Sequence, residues 1–275
     1  MQSSTRPLLT STANPRIKAA VALRDRRERD RTGLTLVDGS REVRRSLEGG
    51  ASIVEAFICE PLLAGEDARA VVNRLAANGV SVHLVTESVM ARVSFGERAE
   101  GVVAVARIPS LELADLALRD NPLVVVVEGV EKPGNVGAVL RSADGAGADA
   151  VLAADARTDL YNPNVIRASL GTVFGVPTAS ASTGAMLDWL RDHGLRVIAA
   201  RVDAERLYSD VDLTGPLAIA VGAETDGLSA AWSGTGIEAV RLPMLGIADS
   251  LNVSATAAIL LYEARRQRGL PSGTL

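Results

Sequence analysis

The chain is poor in cysteine, aromatic residues and lysine, and it has no long apolar run. Its lone cysteine, Cys59, cannot form an internal disulfide and has no partner thiol for a zinc site, so a reducing cytoplasm is the expected location. The two histidines, His83 in an apolar stretch and His193 before a glycine, lack metal-ligand spacing; both are expected to be structural, and no metal is expected. No secretory leader is expected in the first fifteen residues, and the apolar run Ala255 to Tyr262 is too short to span a bilayer, so no membrane partner is expected. Gly129, Gly134 and Gly137 do not fit G-x-G-x-x-G, and neither G-x-x-x-x-G-K-[ST] nor G-x-S-x-G occurs. A nucleotide-cofactor oxidoreductase and a serine-nucleophile enzyme are therefore weak rivals.

What is present is an α/β composition. Hydrophobic residues make up 47% of 275 and aromatics only 3%, so Ala, Val, Leu and Ile must fill the core, and the length allows two domains. Net charge is −4, yet residues 1–50 hold eleven Lys or Arg against six Asp or Glu, a net of +5, leaving −9 for the remainder. Arg24, Arg26, Arg27, Arg29 and Arg31 crowd into one segment with Asp25, Glu28 and Asp30 between them. That pattern fits either a solvated helix face with local ion pairs or a phosphate-contacting patch.

Residues 1–13, rich in Ser and Thr, read as a loose tail. A helix is expected from Asn14 to about Asp30, then strands at Leu34–Val37, Ile53–Cys59, Val80–Val85 and Val102–Ile108, giving a small α/β domain over 14–108. An acidic, proline-bracketed connection over 109–121 leads to the second domain, 122–268. There, strands are expected at Leu123–Val127, Ala150–Ala153, Arg196–Ala200, Leu217–Val221 and Ala239–Leu242, alternating with helices, as a mainly parallel sheet covered on both faces requires.

Three segments could carry chemistry. In Asn135-Val136-Gly137-Ala138-Val139-Leu140-Arg141 a helix from Val136 would turn Val136, Val139, Leu140 and Ala143 toward the sheet. Arg141 would lie about 150° from that stripe, free to meet a ligand, with Asn135 at the capping position. Gly222-Ala223-Glu224-Thr225-Asp226-Gly227-Leu228 sets a carboxylate at a strand's C-terminal edge, where open α/β sheets bind ligands, although Glu224 could also cap a helix beginning near Leu228. Leu242-Pro243-Met244, followed by Ser250-Leu251-Asn252-Val253-Ser254, concentrates polar groups at the start of a helix whose stripe is Val253, Ala257, Leu260, Leu261 and Ala264. Arg265, Arg266 and Arg268 at its other end suit the helix dipole and need no further role.

These segments, in this order and about 85 and 28 residues apart, resemble the signature of the SpoU (TrmH) family of RNA ribose 2′-O-methyltransferases. Less strictly, Asn14-Pro15-Arg16-Ile17-Lys18, Leu36-Val37-Asp38-Gly39 and Gly101-Val102-Val103-Ala104-Val105 look like the substrate-binding domain of its ribosomal-RNA members. The family usually has Glu at Asp38 and Pro-Gln at Ala99-Glu100. The resemblance implies an α/β protein: a C-terminal parallel-sheet domain with a deep trefoil knot (SPOUT) and a smaller N-terminal α/β RNA-binding domain. It further implies S-adenosyl-methionine as cofactor, held near Ala200, Gly222, Leu242, Met244 and Leu251, and a homodimer acting on RNA, ribosomal RNA before transfer RNA. Arg141, Asn135, Glu224, Ser250 and Asn252 are the implied catalytic set, with Arg141 central. A ribosome-associated RNA-binding dimer without catalysis is the reading from another class.

Overall fold

The computed structural model describes residues 7–95 and 99–269. They form two compact units, one running to Pro109 and including Tyr161–Gly175, the other comprising Ser110–Leu160 and the chain from Val176 onward.

Along the first unit run α1 (Pro15–Ala22), α2 (Arg26–Thr32), β1 (Leu34–Asp38), α3 (Ser40–Glu48), β2 (Ile53–Ile58), α4 (Gly65–Ala77), β3 (Ser81–Leu84), α5 (Glu87–Val93) and β4 (Val102–Arg107). All four expected strands are present. Their sheet has the order β1-β4-β2-β3, with β4 antiparallel to both neighbours and β2 parallel to β3. Ile17, Leu36, Phe57, Val89, Met90 and Val103 form part of its core.

The single helix expected from Asn14 to Asp30 is instead two. Asn14 caps α1 by accepting from the Arg16 N–H at 2.9 Å, and Pro15 suits the first helical position. Asp25 then starts a second helix by accepting from the Arg27 N–H at 2.8 Å. Between them Arg29, only 1% exposed, donates to the carbonyls of Leu23 and Arg24, each at 2.9 Å, and so satisfies the frayed end of α1. Arg31 pairs with Glu28 and Arg26 with Asp30, so three of the five crowded arginines are spent on local structure.

The tail expected over 1–13 is pinned within its described part. Leu9 pairs with Val85, donating to the Leu84 carbonyl at 2.8 Å; residues 1–6 lie outside the described residues.

The second unit carries β5 (Leu123–Glu128), α6 (Pro133–Ala146), β6 (Ala150–Ala154), β7 (Thr178–Ala181), α8 (Thr183–Asp192), β8 (Arg196–Ala200), β9 (Leu217–Gly222), β10 (Ile237–Val240) and α9 (Val253–Arg268). The intervening α7 (Pro163–Ala168) clusters with the first unit. There Thr35 donates its hydroxyl to the Tyr161 carbonyl at 2.7 Å, and a Cβ on Gly49 would lie 2.5 Å from the Phe174 carbonyl oxygen.

The six-stranded sheet has the order β10-β8-β9-β5-β6-β7, and every pairing is parallel. Every residue of β5 is buried, as a strand covered on both faces requires. β7 escaped the sequence reading because Thr178-Ala179-Ser180-Ala181 is a short edge strand without an apolar run. β10 lies earlier than Ala239–Leu242 because the chain leaves the sheet after Val240, where Arg241 pairs with Leu207.

On α6 the expected stripe Val136, Val139, Leu140 and Ala143 is buried, and on α9 so are all five expected residues. Asn135 is not the cap of α6. Pro133 takes the first helical position and Lys132 the capping one, so Asn135 falls in the first turn with its side chain free for another partner. Two of the arginines near the end of α9 do more than answer its dipole. Arg265 donates to the carbonyls of Ala146 (2.7 Å) and Gly147 (2.9 Å) at the end of α6. Arg268 donates to the carbonyls of Leu213, Asn121 and Pro122.

Candidate active site

Because the sheet is parallel, β8, β9, β10 and β5 all end on one edge, and β5 and β9 run in register so that Glu128 pairs with Gly222. The loops leaving that edge, with the loop leading into α9, enclose a cleft of about 490 Å³. Ala200, Gly222, Leu242, Met244 and Leu251 all line it, as do Glu224 and Ser250.

Gly222 is required by space. A Cβ there would meet backbone atoms of Gly227 and Leu228 at 2.1–2.3 Å, since the turn folds back so that the Gly227 N–H reaches the Ala223 carbonyl at 2.9 Å. Gly227 is required by conformation, with φ +65°.

Glu224 does not cap a helix; Ser229 occupies that position before the 3-10 turn at Ala230–Ser233. Its carboxylate is instead a hub for groups from two other segments. Lys132 Nζ donates to Oε2 at 2.6 Å, while the side-chain amides of Asn135 and Asn252 both donate to Oε1, at 2.7 and 2.6 Å. Asn252 also donates to Asn135 Oδ1 at 3.2 Å, and its own Oδ1 caps α9 by accepting from the Ser254 N–H at 2.9 Å. Hydrogen bonding from Lys132, then from Asn135, holds the Glu224 carboxyl below the usual carboxylate range.

Arg141 lies six residues beyond Asn135 on α6, about 9 Å along the axis. It is exposed, and it is not among the groups bonded to the hub. Ser250 is an exposed part of the cleft wall. The structure thus gathers Asn135, Glu224 and Asn252, and leaves Arg141 and Ser250 exposed and outside the hub.

Three residues that the sequence reading passed over complete the site. Lys132 is the only lysine of its unit, and its place one residue before Pro133 was the available signal. Glu128, 6% exposed, ends the apolar run of β5 and accepts from the Thr183 hydroxyl (2.7 Å), the Ser229 N–H (2.7 Å) and the Ser229 hydroxyl (2.8 Å). Burial pushes its carboxyl up, but these bonds outweigh burial and hold it below the usual range. The buried Trp232 indole N–H, which has no partner of full hydrogen-bond geometry, faces the same carboxylate and adds to the effect. Arg157 joins two loops, donating to Glu131 at 2.6 Å and to Asp226 at 3.5 Å.

The cleft suits S-adenosyl-methionine. Its volume lies in the range of about 300–1,000 Å³ usual for cofactor sites. Val221, Leu228, Val240, Leu242 and Leu251 offer apolar walls to a base, and Ser250, Thr225 and Thr256 offer hydroxyls to a polar group. Asp203, Glu224, Asp226 and Asp249 outnumber Arg201 and Arg241 in the lining, which favours a cationic sulfonium.

A parallel α/β sheet with a polar hub and a cofactor-sized cleft at its edge defines a candidate enzyme site, and comparison with known proteins gives its class. Residues 122–262 match the SpoU rRNA Methylase family and residues 14–104 the MRM3-like substrate binding domain. The 23S rRNA (uridine(2479)-2'-O)-methyltransferase of Streptomyces viridochromogenes is 36% identical over 185 residues, which is 64% of this chain and 64% of that protein. A solved structure described as an RNA 2'-O ribose methyltransferase superposes with a TM-score of 0.84 at 44% identity, covering 95% of this chain and 99% of its own. An AdoMet-bound rRNA methyltransferase from Sinorhizobium meliloti superposes with a TM-score of 0.85 at 29% identity, covering 94% and 97%. The chain belongs to the SpoU family of S-adenosyl-methionine-dependent RNA ribose 2′-O-methyltransferases.

Proposed function

We propose that this protein methylates a ribose 2′-hydroxyl of large-subunit ribosomal RNA, acting as a cytoplasmic homodimer. The observation that carries the reading is the hub, in which Glu224 on the cleft wall binds Asn135 and Asn252. The match to the SpoU rRNA Methylase family and the 23S target of the Streptomyces viridochromogenes relative support ribosomal RNA over transfer RNA. The trefoil knot follows from family membership and belongs to the same proposal.

S-adenosyl-methionine, when bound, supplies an electrophilic methyl group on a sulfonium. The protein must favour the ribose oxygen as it turns negative. Glu224 is a poor base for that oxygen's proton, because three donors already stabilise its ionised form. Its part is to hold the two asparagines in place beside the cleft. A guanidinium stays protonated in proteins, so Arg141 acts as a fixed cation, pairing with the developing alkoxide and with the neighbouring RNA phosphate, which receives the hydroxyl's proton as the methyl group passes from sulfur to oxygen.

An exposed Arg141 outside the hub suits a substrate held partly by a second subunit. Leu245 and Ile247, fully exposed at 97% and 105% in the loop before α9, support such an interface. Among the described residues no helix is long and apolar enough to cross a membrane.

Arg141→Lys keeps the charge and loses the bidentate fork. Single-turnover assays on ribosomal RNA should show most of the turnover lost with cofactor affinity unchanged, and wild-type turnover would remove Arg141 from this role. Mapping 2′-O-methyl sites in ribosomal RNA with and without the protein identifies the nucleotide.

A further inference from the structure

The arginines that crowd the sequence at 24–31 are mostly consumed within the first unit, as described above. Unspent cations stand elsewhere in that unit. A groove of about 570 Å³ is lined by Thr12, Ala13, Lys18, Val21, Ala22 and Arg92, so it lies between α1 with its preceding turn and the end of α5. Lys18 and Arg92 are both exposed, and neither has an ion-pair partner among the described residues. The neighbouring arginines are differently placed: Arg16 is held by Glu55 at 3.1 Å.

Behind the groove, Arg24 donates to the carbonyls of Arg92 (2.8 Å) and Ser94 (2.6 Å) and sits over the Phe95 ring, 5.6 Å from its centroid. Burial, and then repulsion from Arg92, push its guanidinium down, while Asp38 acts the other way. Lys18 and Arg92 thus line one groove with no carboxylate among its described lining residues, and Arg24, attracted by Asp38, stands next to Arg92. Such a cluster is electrostatically unfavourable alone and is relieved by an anion.

We infer that the groove between α1 and α5 holds the RNA sugar-phosphate backbone, with Lys18 and Arg92 each neutralising one phosphate. The inference rests on the RNA substrate proposed above. A backbone fits better than a base because the described lining offers two cations and the Thr12 hydroxyl but no aromatic ring to stack on. Lys18 supplies a point charge and Arg92 a planar fork, so the site reads charge and spacing and not sequence.

The test is binding of a ribosomal RNA fragment to the full-length double variant Lys18→Gln with Arg92→Gln, measured across a salt series. Each lost phosphate contact lowers the slope of log affinity against log salt by about 0.7–0.9, so the pair should lower it by about 1.4–1.8. Affinity should fall several-fold at low salt and converge with wild type at high salt. The charge-preserving double variant, Lys18→Arg with Arg92→Lys, should keep the slope. Cofactor affinity and kcat at saturating RNA should stay at wild-type values, since neither residue belongs to the cleft. An unchanged slope overturns the inference. So does unchanged binding to naked RNA accompanied by poorer methylation of ribosomal particles, which would assign the groove to a protein partner. Binding is read without turnover, so a wild-type protein that binds RNA but methylates none would refute the proposed activity and leave this test standing.

Discussion

Two glycines five residues apart bound the turn that carries Glu224, and they should fail for different reasons when replaced by alanine. At Gly222 the backbone is ordinary, but the added Cβ would lie 2.1 Å from the Gly227 carbonyl carbon, 2.2 Å from its oxygen and 2.3 Å from the Leu228 nitrogen. Ordinary contacts begin at about 3.4 Å, so three backbone atoms must retreat by about 1 Å or more. The atoms that must move belong to the turn on the cleft wall, and overpacking of this kind costs about 1–3 kcal/mol or more. A displacement of about 1 Å can cost 10²-fold in rate. At Gly227 nothing stands within 4 Å, and the penalty comes from φ +65° alone, about 1–2 kcal/mol for alanine. Calorimetric titration with S-adenosyl-methionine and urea unfolding separate the two. Gly222→Ala should lose most cofactor affinity together with stability, whereas Gly227→Ala should lose about 1–2 kcal/mol and keep most of its affinity. Gly227→Asn should recover part of that loss, because asparagine tolerates the left-handed region. Wild-type affinity in Gly222→Ala would refute the claim that the approach of these backbones builds the cleft.

Two further substitutions probe buried charge. Glu128→Gln sets an amide against the Ser229 N–H and the two hydroxyls and should cost about 1.5–3 kcal/mol in urea unfolding at neutral pH. Because the folded carboxyl lies below its unfolded value of about 4.3, its stabilisation is complete above that pH and drains away as pH falls through the folded value; the variant should lose that part of the acid dependence. Arg29→Ala strands the carbonyls of Leu23 and Arg24 and should destabilise the first unit by on the order of 3 kcal/mol. Its RNA-binding slope with salt should match wild type wherever the protein is folded, in contrast to the Lys18 and Arg92 pair; a lowered slope would return Arg29 to the RNA surface.

The parallel sheet was legible because its strands announce themselves. Leu123–Val127 and Leu217–Val221 are unbroken apolar runs, and burial on both faces leaves a strand little other option. The edge strand Thr178–Ala181 was not legible, because one line of hydrogen bonds and partial burial tolerate Thr and Ser. The break after Ala22 was hidden for a related reason. Helical periodicity carries through Leu23–Asp25, and the break there depends on the Asp25 cap together with the reach of a buried Arg29 from the next helix back to the Leu23 and Arg24 carbonyls.

The polar site divides along the same physical line. Glu224, Asn135 and Asn252 could be picked out singly, each at a strand or helix end where side chains become free. That they share one carboxylate depends on which strands are neighbours, and sheet order is not written in local pattern. Lys132 illustrates the difference. Next to a proline it reads as a solvated loop residue, yet parallel pairing of β5 with β9 places the loop after Glu128 beside the turn after Gly222, and the lysine then finds Glu224 at 2.6 Å. An acid so supplied with donors has little appetite for a proton, so in the mechanism proposed above a permanent cation, and not Glu224, steadies the reacting oxygen. Arg141 stands on the same helix as Asn135 but outside the hub, where an incoming RNA could reach it without first breaking the bonds that hold the asparagines.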